Sequence, residues 1–340
     1  KPLLKMADSM AGSTNAKGLE EMTVSMLLGE DGKQQEELER LVEWMAEHCK
    51  PDIVHISNAL LLGLAHRIKE KLKVPIVCSL QDEDVWVDAM KPEFQNKIWN
   101  LMSIKAKDVD QFIGVSHYFS KVMKDRMNLP PEKIQSLYLG VDPGDYEFIP
   151  FSNKARNIGY ISRMCHENGF DILVDAFILL KNKVGFDDVK LILTGGSTGA
   201  DTSYIKGLRK KLSRKNLDDQ VKIIEDFEET GRNDFFNEVS VISVPVRNGE
   251  AFGMYLLEAM ASGVPVVQPA LGAFPEIINL SGGGINYQPN TPEMLCEALT
   301  GLLSDPEKLN QLSMNARKGV EINFNIHDHA KEMIDVYQKL

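Results

Sequence analysis

Short runs of apolar, mostly β-branched residues recur along the chain, and segments with the apolar spacing of helices separate them. The runs are Asp52–Ser57, Pro75–Leu80, Gln111–Ser116, Ile134–Gly140, Asn157–Ser162, Lys190–Gly196, Val221–Glu225, Val239–Val246 and Pro265–Pro269. Alternation of strands with helices favours mostly parallel sheets that are covered by helices on both faces. The sequence therefore predicts an α/β protein built from doubly wound parallel sheets.

Chain length and one polar segment indicate the domain organisation. At 340 residues the chain is long enough for two domains of ordinary size, each with its own core. The turn-rich segment Asp142–Pro150 falls where one group of predicted strands ends and the next begins. We therefore expect one Rossmann-like domain over residues 1–150 and a second over residues 151–325.

The first fifty residues follow this pattern less closely. Apolar residues at helical spacing predict an amphipathic helix over Lys33–Cys49, which leads into the first predicted strand. Before it, Met22–Leu28 is compatible with a short strand or with another helix. The start of the chain therefore predicts no complete strand–helix unit of its own.

Charge and composition exclude several classes of function. A net charge of -11 argues against nucleic acid as the main partner, because phosphate backbones attract Lys- and Arg-rich surfaces. We expect no stable membrane insertion, since the sequence shows neither a signal peptide nor an apolar run long enough to span a bilayer. Cys49, Cys78, Cys165 and Cys296 lack paired spacing, which suits the reduced thiols of a cytoplasmic protein better than disulfides or zinc.

One segment, residues 244–267, carries the strongest functional signal. It reads VPVRNGEAFGMYLLEAMASGVPVV and predicts a strand, a loop, a short helix and a strand. Gly253 allows close backbone approach, and a helix beginning near Met254 offers N–H groups with partial positive charge to a phosphate. Glu250 and Glu258 would repel a diphosphate, so they suit sugar hydroxyls better. The segment indicates a nucleotide-sugar pocket, the alternative being a surface loop before an ordinary amphipathic helix.

This segment resembles the retaining glycosyltransferases of family 4, which have a two-domain GT-B fold and a Glu-x7-Glu signature. The resemblance implies that Glu250 faces the transferred sugar and that Glu258 binds the nucleotide ribose. It also implies that the backbone between them meets the diphosphate. The matching donor-binding positions are Phe252, Gly253, Met254 and Tyr255.

The resemblance also implies how the two domains are used. Residues 1–150 would form the acceptor side, residues 151–325 would bind the nucleotide-sugar donor, and residues 326–340 would form a helix that crosses back onto the first domain. The family opens with a strand and a glycine-rich loop that this sequence lacks. We therefore expect the first domain to be incomplete, with roughly one or two strand–helix units missing.

Arg163 and Asn168 follow the predicted strand Asn157–Ser162, where the family usually has an Arg and then a Lys that neutralise the leaving diphosphate. Arg163 matches, its alternative being a solvated residue at a strand end. Asn168 replaces the lysine, and a lost charged hydrogen bond of about 1.5–3 kcal/mol corresponds to roughly a tenfold to hundredfold loss in rate or donor affinity. Arg247, just upstream of Glu250, is a candidate to supply the missing charge.

Two further regions complete the predicted site. Gly195 and Gly196 end a strand where the family has a loop along the nucleotide, although a Gly pair after a strand is also a common tight turn. In the first domain, Gln81 occupies the place of a His near the acceptor and the sugar. His117 follows another strand and is either its substitute or a capping residue. Both are candidates for the acceptor side.

The reaction implied by the resemblance is transfer of a hexose from a nucleoside-diphosphate sugar to a hydroxyl of a carbohydrate or lipid-linked acceptor, with retention of anomeric configuration. The departing diphosphate would help to deprotonate the incoming hydroxyl, and no metal or other cofactor is required. One alternative is a nucleotide-sugar-binding protein with weak or no turnover, because Asn168 and Gln81 depart from the family pattern. Another is a different GT-B enzyme, such as a sugar-nucleotide epimerase or a glucan phosphorylase.

Overall fold

The computed structural model describes residues 16, 18–151, 154–224 and 229–340. Contacts among them divide the chain into two compact units. The first unit contains the described residues up to Tyr138 together with His329–Leu340, and the second unit is Leu139–Asp328. Each unit is built on its own parallel sheet.

The first unit has a four-stranded parallel sheet whose strands lie side by side in chain order. These strands are β1 (Val54–Ile56), β2 (Ile76–Leu80), β3 (Gln111–Gly114) and β4 (Ile134–Ser136). The helices before and between them are α1 (Glu20–Leu28), α2 (Gln35–Trp44), α3 (Ala65–Leu72), α4 (Glu83–Asp88), α5 (Pro92–Lys105) and α6 (His117–Met127). A 3-10 segment, Ala59–Leu64, follows β1.

The second unit has a six-stranded sheet in the order β10-β9-β8-β5-β6-β7, and all its pairs are parallel. The strands are β5 (Ile158–Ile161), β6 (Leu191–Thr194), β7 (Val221–Ile223), β8 (Val241–Ile242), β9 (Val266–Pro269) and β10 (Gly284–Tyr287). The helices are α7 (Phe170–Lys181), α8 (Thr202–Ser213), α9 (Glu229–Glu238), α10 (Met254–Ala261), α11 (Phe274–Ser281), α12 (Pro292–Leu303) and α13 (Pro306–Asn323).

The strand order of the second sheet reverses beside β5. From β5 the chain continues to β6 and β7 on one side, whereas β8 lies on the other side of β5. The loops that follow β5 and β8 therefore leave the sheet in opposite directions and open a crevice at the carboxyl ends of the strands, where open α/β sheets bind ligands. Two residues of the predicted site, Arg163 and Glu250, lie in these two loops.

The last helix, α14 (Ile326–Gln338), contributes to the first unit from His329 onward. Val336 packs with Val77 and Ile113 of the first sheet. Beside this cluster, the His55 ring lies within hydrogen-bonding distance of two hydroxyls: Nδ1 is 2.6 Å from the Tyr337 hydroxyl and Nε2 is 2.8 Å from another in β2. The end of the chain is therefore part of the first unit's core.

The predicted α/β fold class is confirmed, because both sheets are parallel throughout. Met22–Leu28, which the sequence left open between strand and helix, lies in α1. The predicted helix Lys33–Cys49 is α2 followed by a π-helical turn, Met45–Cys49. Among the described residues, none of the helices has both the length and the apolar composition needed to cross a bilayer.

Candidate functional site

Glu250 lies in the loop after β8, and its backbone is fixed by the loop after β9. Its carbonyl accepts a hydrogen bond from the Ala273 amide at 3.0 Å. Gly249 has φ +76°, and a Cβ there would lie 2.6 Å from the Gly272 nitrogen; a Cβ on Gly272 would lie 2.5 Å from the Glu250 nitrogen. Since these contacts are shorter than side chains allow, only glycines let the two loops pack so closely around Glu250.

Gly253 connects Glu250 to helix α10. Its φ is +93°, and an added Cβ would lie 2.6 Å from Leu256 Cδ1 and 3.0 Å from Glu250 Oε2. The helix therefore begins at Met254, directly beside the carboxylate, and its amino terminus carries partial positive charge. Phe252 is buried and packs edge-on against Phe324 at 6.2 Å between ring centroids. Its ring anchors the loop, while the backbone continues to the helix.

The Glu250 carboxylate is held by the first turn of α10, the helix that follows it. The Tyr255 hydroxyl donates a hydrogen bond to Glu250 Oε1 at 3.2 Å. Burial, together with the nearby Glu250 charge, raises the pKa of Tyr255 well above its ordinary value. Tyr255 therefore keeps its proton near neutral pH and remains a donor to this carboxylate.

Glu258 lies one turn further along α10 and is held from a different direction. The Tyr146 hydroxyl lies 3.4 Å from Glu258 Oε1, a long hydrogen bond. Burial raises the pKa of Glu258, while Arg232 and the Tyr146 hydroxyl act in the opposite direction. The Arg232 guanidinium also lies over the Tyr146 ring at 6.0 Å. Glu258 is thus a partly buried carboxylate beside one cation and one hydroxyl.

The carboxyl end of α10 is braced by α13. Arg317 Nη1 donates to the carbonyls of Tyr146 at 3.0 Å and Ala261 at 2.7 Å. Ser313 Oγ donates to the Gly263 carbonyl at 2.6 Å. One arginine therefore joins the helix that carries Glu258 to the backbone of the tyrosine that reaches Glu258.

Arg163 lies in the loop after β5, with its side chain about half exposed. Its guanidinium is 3.7 Å from the Glu167 carboxylate and 3.8 Å from the Asp201 carboxylate. Asn168 Nδ2 donates to Ser162 Oγ at 2.7 Å and to the Arg163 carbonyl at 3.3 Å. Asn168 therefore shapes the loop that presents Arg163, and its amide is engaged within that loop.

The loops after β5 and β8 meet where the strand order reverses. Gly169 has φ +67°, and a Cβ there would lie 1.9 Å from the Pro245 carbonyl oxygen. Arg247 donates through Nε to the His166 carbonyl at 2.9 Å and through Nη2 to Asp171 Oδ2 at 2.5 Å. Arg247 thus ties the two loops together, and Asp171 balances its charge. Its assignment as a donor-binding residue stays a prediction.

The two glycines after β6, Gly195 and Gly196, have different surroundings. Gly195 has φ +112°, and a Cβ on it would lie 2.4 Å from the Ser162 carbonyl oxygen, so this glycine permits close packing of the loops after β5 and β6. Gly196 has φ +75° with nothing within 4 Å of an added Cβ. Its backbone is therefore open on that side, beside the loop that carries Arg163.

The acceptor-side candidates lie at the carboxyl ends of strands in the first unit. Gln81 directly follows β2, is exposed, and donates through Nε2 to the Ser57 carbonyl at 3.1 Å. His117 is the first residue of α6 and packs edge-on against Tyr138 at 5.5 Å between ring centroids. These residues share the edge of a sheet where ligands bind. Their role in the site stays a prediction.

Sequence patterns did not reveal three residues that shape these surroundings: Tyr146, Arg317 and Glu83. Tyr146 lies in the segment read as a domain boundary, and Arg317 is one of many charged residues on a long helix. Neither position carries a motif. Glu83 follows a predicted strand closely enough to be noticed, but nothing in the sequence shows that it is buried.

Two family descriptions match the chain. Residues 146–319 match "Glycosyl transferases group 1". Residues 32–145 match "Glycosyltransferase Family 4". Together the matches run from residue 32 to residue 319 and include residues of both units.

Curated relatives are similar at low identity. An uncharacterized glycosyltransferase of Methanocaldococcus jannaschii is 22% identical over 303 residues, which are 85% of this chain and 75% of that protein. The lipopolysaccharide core biosynthesis mannosyltransferase LpsB of Rhizobium meliloti is 28% identical over 206 residues, 59% of this chain and 54% of that protein. A D-inositol 3-phosphate glycosyltransferase of Xylanimonas cellulosilytica is 28% identical over 169 residues, 50% of this chain and 39% of that protein.

Solved structures share the fold. Anabaena Alr3699/HepE, crystallised in complex with UDP, superposes with a TM-score of 0.78 at 19% identity, covering 91% of this chain and 84% of that one. Sucrose-phosphate synthase from Thermosynechococcus elongatus superposes with a TM-score of 0.72 at 19% identity, covering 90% and 79%. At such identities the likeness establishes the architecture only.

Proposed function

The chain belongs to the group 1 glycosyl transferases, and from this premise we propose that it transfers a hexose from a nucleoside-diphosphate sugar to a hydroxyl acceptor with retention of anomeric configuration. In this proposal the second unit, Leu139–Asp328, binds the donor, and the first unit supplies the acceptor side. The acceptor is a carbohydrate or a lipid-linked hydroxyl compound.

The observation that carries the proposal is the arrangement at the start of α10. Two carboxylates, Glu250 and Glu258, lie on either side of a glycine-initiated helix amino terminus, next to the crevice where the strand order reverses. A helix amino terminus favours a phosphate, whereas carboxylates accept hydrogen bonds from hydroxyls. A ligand with a diphosphate between two hydroxyl-bearing rings satisfies both, and a nucleotide sugar has this chemistry.

Stabilisation of the leaving diphosphate falls to Arg163 and the amino terminus of α10. Arg163 is half exposed, and its nearest carboxylates are 3.7 and 3.8 Å away, beyond hydrogen-bonding distance. Its guanidinium is therefore less tightly engaged than that of Arg247, which bonds Asp171 at 2.5 Å. In the proposed reaction the diphosphate leaves on the face from which the hydroxyl arrives and accepts the hydroxyl proton. Fixed positive groups lower the energy of that transition state.

No metal ion or other cofactor takes part in the proposed reaction. Among the described residues, one group of three potential metal ligands comes together: Glu30, His66 and Glu70, in the first unit. Arg67 Nη1 already bonds Glu70 at 2.6 Å. The cytoplasmic location expected from the scattered, unpaired cysteines stays a prediction.

The first test separates donor binding from chemistry. We expect Glu250→Ala and Arg163→Ala each to lower donor turnover by roughly a hundredfold or more, since each removes a charged side chain that stabilises the transition state in this proposal. Glu293→Ala and Arg214→Ala, at exposed positions of the same unit, are the matched controls and should keep full activity. Turnover is measured by chromatography of the released nucleoside diphosphate with UDP-, GDP- and ADP-sugars. Full activity in both site variants would refute the assigned roles.

The stereochemical part of the proposal needs its own measurement. Proton NMR of the glycoside formed from an α-linked donor reports the configuration of its new anomeric bond. We expect the α product, because the proposed route delivers the hydroxyl to the face that the diphosphate leaves. A β product would contradict retention while leaving sugar transfer intact.

A second candidate function, donor binding with weak or no turnover, is favoured by one observation. Asn168 stands where the family usually has a lysine, and its amide is engaged by Ser162 and the Arg163 carbonyl. Arg247, the candidate to replace the missing charge, is paired with Asp171. Titration calorimetry with the same donors separates the candidates: binding without released product supports the second function.

A further inference from the structure

Glu83 is a carboxylate buried at the carboxyl end of the first sheet. It follows β2 by three residues and is 1% exposed. Carboxylates at such depth need hydrogen-bond donors, because desolvation of an unpaired charge is expensive. Glu83 lies beside the acceptor-side candidate Gln81 and has no contact with the proposed donor-binding residues of the second unit.

The Glu83 carboxylate joins two loops. Oε1 accepts from the Ala59 amide at 2.8 Å, and Oε2 accepts from the Gln81 amide at 2.6 Å. Ala59 begins the 3-10 segment after β1, whereas Gln81 directly follows β2. A third bond, from Gln81 Nε2 to the Ser57 carbonyl at 3.1 Å, links the same two loops at the surface. One buried side chain therefore fixes adjacent loops at the edge where ligands bind.

Strain at the neighbouring residue supports a functional reading. Asp82 is exposed and has φ +59°, in the left-handed region that residues with side chains seldom adopt. It lies between Gln81, whose amide bonds Glu83, and Glu83 itself. Strained conformations of this kind persist where the surroundings enforce them, and they cluster at functional sites.

We propose that Glu83 is a positioning residue for the acceptor, which holds the loops Ser57–Ala59 and Gln81–Asp82 in the geometry that binds a hydroxyl-bearing acceptor. The proposal rests on the function proposed above, in which the first unit supplies the acceptor side. Gln81 and Asp82 expose an amide and a carboxylate, groups that recognise hydroxyls by donating and accepting hydrogen bonds. Glu83 itself touches no substrate.

The charge state of Glu83 decides how strong these bonds are. A carboxylate accepts strongly from both amides, whereas the hydroxyl oxygen of a protonated carboxyl is a weaker acceptor, so one of the two bonds is weakened. Burial, with a smaller contribution from the Asp82 charge, raises the pKa of Glu83 to about 7, although the hydrogen bonds from backbone amides act in the opposite direction. The loops should therefore be fixed above neutral pH and loosened below it.

Asp84 and Asp88 lie on the same helix as Glu83. The segment Ser57–Leu64 carries no titratable side chain. From β2 the buried Cys78 thiol faces it, and Asp82 adjoins it. The 3-10 segment packs against α1, which carries Glu20 and Glu21 in its first turn, and against α5, whose Glu93 and Lys97 are exposed. His117 lies at the same edge of the first sheet, so a change near neutral pH is assigned to Glu83 only where Glu83→Gln removes it.

The experiment measures acceptor and donor KM separately for the full chain and for Glu83→Gln. The amide of glutamine offers one acceptor oxygen and turns an NH2 group toward the second amide. We expect the acceptor KM of the variant to rise roughly tenfold above pH 8. Donor KM should not change, because donor contacts lie in the second unit. Glu132→Gln, at an exposed position of the first unit, is the matched control.

The pH profile distinguishes positioning from a general loss of stability. The wild-type acceptor KM should fall several-fold between about pH 6 and about pH 8 as Glu83 ionises, and Glu83→Gln should show a flat profile. If the variant does not fold, the wild-type profile decides: an acceptor KM that is constant across this range overturns the proposal. Equal acceptor KM in variant and wild type overturns it as well.

Failure here is distinguishable from failure of the proposed function. If Glu250→Ala abolishes donor turnover while Glu83→Gln leaves acceptor KM unchanged, the function stands and the role of Glu83 is wrong. If the wild type binds no donor, the proposed function is wrong, whatever the role of Glu83. Hydrogen exchange at the amides of Ala59 and Gln81 then still reports whether Glu83 fixes the loops. Exchange rates that are equal in variant and wild type, after correction for the intrinsic effect of pH, would count against that role.

Discussion

Glu250 and Glu258 flank one helix amino terminus, yet each carboxylate is held by a different tyrosine. Tyr255 reaches Glu250 from the first turn of the same helix at 3.2 Å. Tyr146 reaches Glu258 from a segment more than a hundred residues earlier in the chain, at 3.4 Å. Both distances are long for a hydrogen bond between two oxygen atoms. Ligand hydroxyls would complete the coordination of both carboxylates.

Replacement of Gly253 by alanine tests the tight turn before α10. The φ of +93° and the 2.6 Å approach to Leu256 Cδ1 predict a destabilisation of about 1–3 kcal/mol and weaker donor binding, because the Glu250 carboxylate lies 3.0 Å from the added methyl. Gly301→Ala is the control, since an added Cβ there meets nothing and lies within α12. It should stabilise the protein by about 0.5–1 kcal/mol. Urea unfolding measures both changes.

Replacement of Tyr146 by phenylalanine tests the surroundings of Glu258. The Tyr146 hydroxyl lowers the pKa of Glu258, so its removal should raise that pKa and keep the carboxyl protonated to a higher pH. If a ribose hydroxyl donates to the ionised form, nucleotide affinity falls as pH falls through this pKa, and the fall should begin at higher pH in the variant. Calorimetric Kd values across the acid range measure this, with Tyr138→Phe as control. Superimposable profiles would exclude the assigned role.

For single residues, the sequence predicts which side chains belong to the site better than it predicts what surrounds them. The spacing of Glu250, Gly253 and Glu258 indicated the carboxylates and the turn, since those residues are close together in the chain. Tyr146 and Arg317 contact the same helix only after folding, so no local pattern could reveal them. Arg247 shows the same limit, because its place beside the motif does not reveal its partner. In the structure it is paired with Asp171, which comes from another part of the chain.

Helix α10 is the element that the site depends on, and its stability comes from its carboxyl end. Arg317 and Ser313 bond carbonyls at or just after that end. The last carbonyls of a helix lack partners within it, so such donors stabilise the terminus directly. With this end fixed, the orientation of the amino terminus beside Glu250 is fixed too.

Arg317→Ala tests this brace. Loss of two bonds to buried carbonyls should destabilise the second unit by about 1–3 kcal/mol and weaken nucleotide binding through movement of α10. Arg40→Ala is the control, because its side chain is 72% exposed and pairs with an exposed Glu37. That change should alter stability by less than about 0.5 kcal/mol. Thermal unfolding with and without nucleotide measures both effects, and equal behaviour of the two variants would disprove the brace.

Element by element, buried strands were the most predictable feature. β5, β6 and β9 are buried at every position, and their continuous apolar runs marked them in the sequence. The edge strand β10 (Gly284–Tyr287) was missed because it is short, half-exposed and contains Gly and Asn. Met22–Leu28 was ambiguous since an apolar run of that length suits either a strand or a buried helix. Its packing within the first unit, not its own pattern, makes it α1.

At the scale of the whole molecule, the first unit is discontinuous in sequence. The domain ranges 1–150, 151–325 and 326–340 remain predictions, and the contacts group Leu139–Asp328 together, with His329–Leu340 joining the earlier residues. Val336 fills a place beside Val77 and Ile113 in the first unit's core. Residues far apart in the chain thus share one hydrophobic cluster.

Deletion of residues 329–340 should destabilise the first unit selectively. Each buried apolar side chain that is removed costs about 1.5–3 kcal/mol. The chain's three tryptophans, Trp44, Trp86 and Trp99, all lie in that unit, so their fluorescence reports its unfolding alone. We expect the fluorescence midpoint in urea to fall. Removal of residues 339–340 is the control and should leave the midpoint nearly unchanged. An unaltered midpoint in the longer deletion would mean that α14 contributes nothing to this core.

The discontinuity also constrains how the protein is made. A ribosome releases the chain from its amino end, so all of Leu139–Asp328 emerges before the helix that closes the first core. The second unit can complete its sheet during synthesis, whereas the earlier segment waits, with the face around Val77 and Ile113 uncovered, until α14 has emerged. Nascent chains stalled before His329 should therefore depend on chaperones that shield apolar surface, although Leu139–Asp328 is already folded.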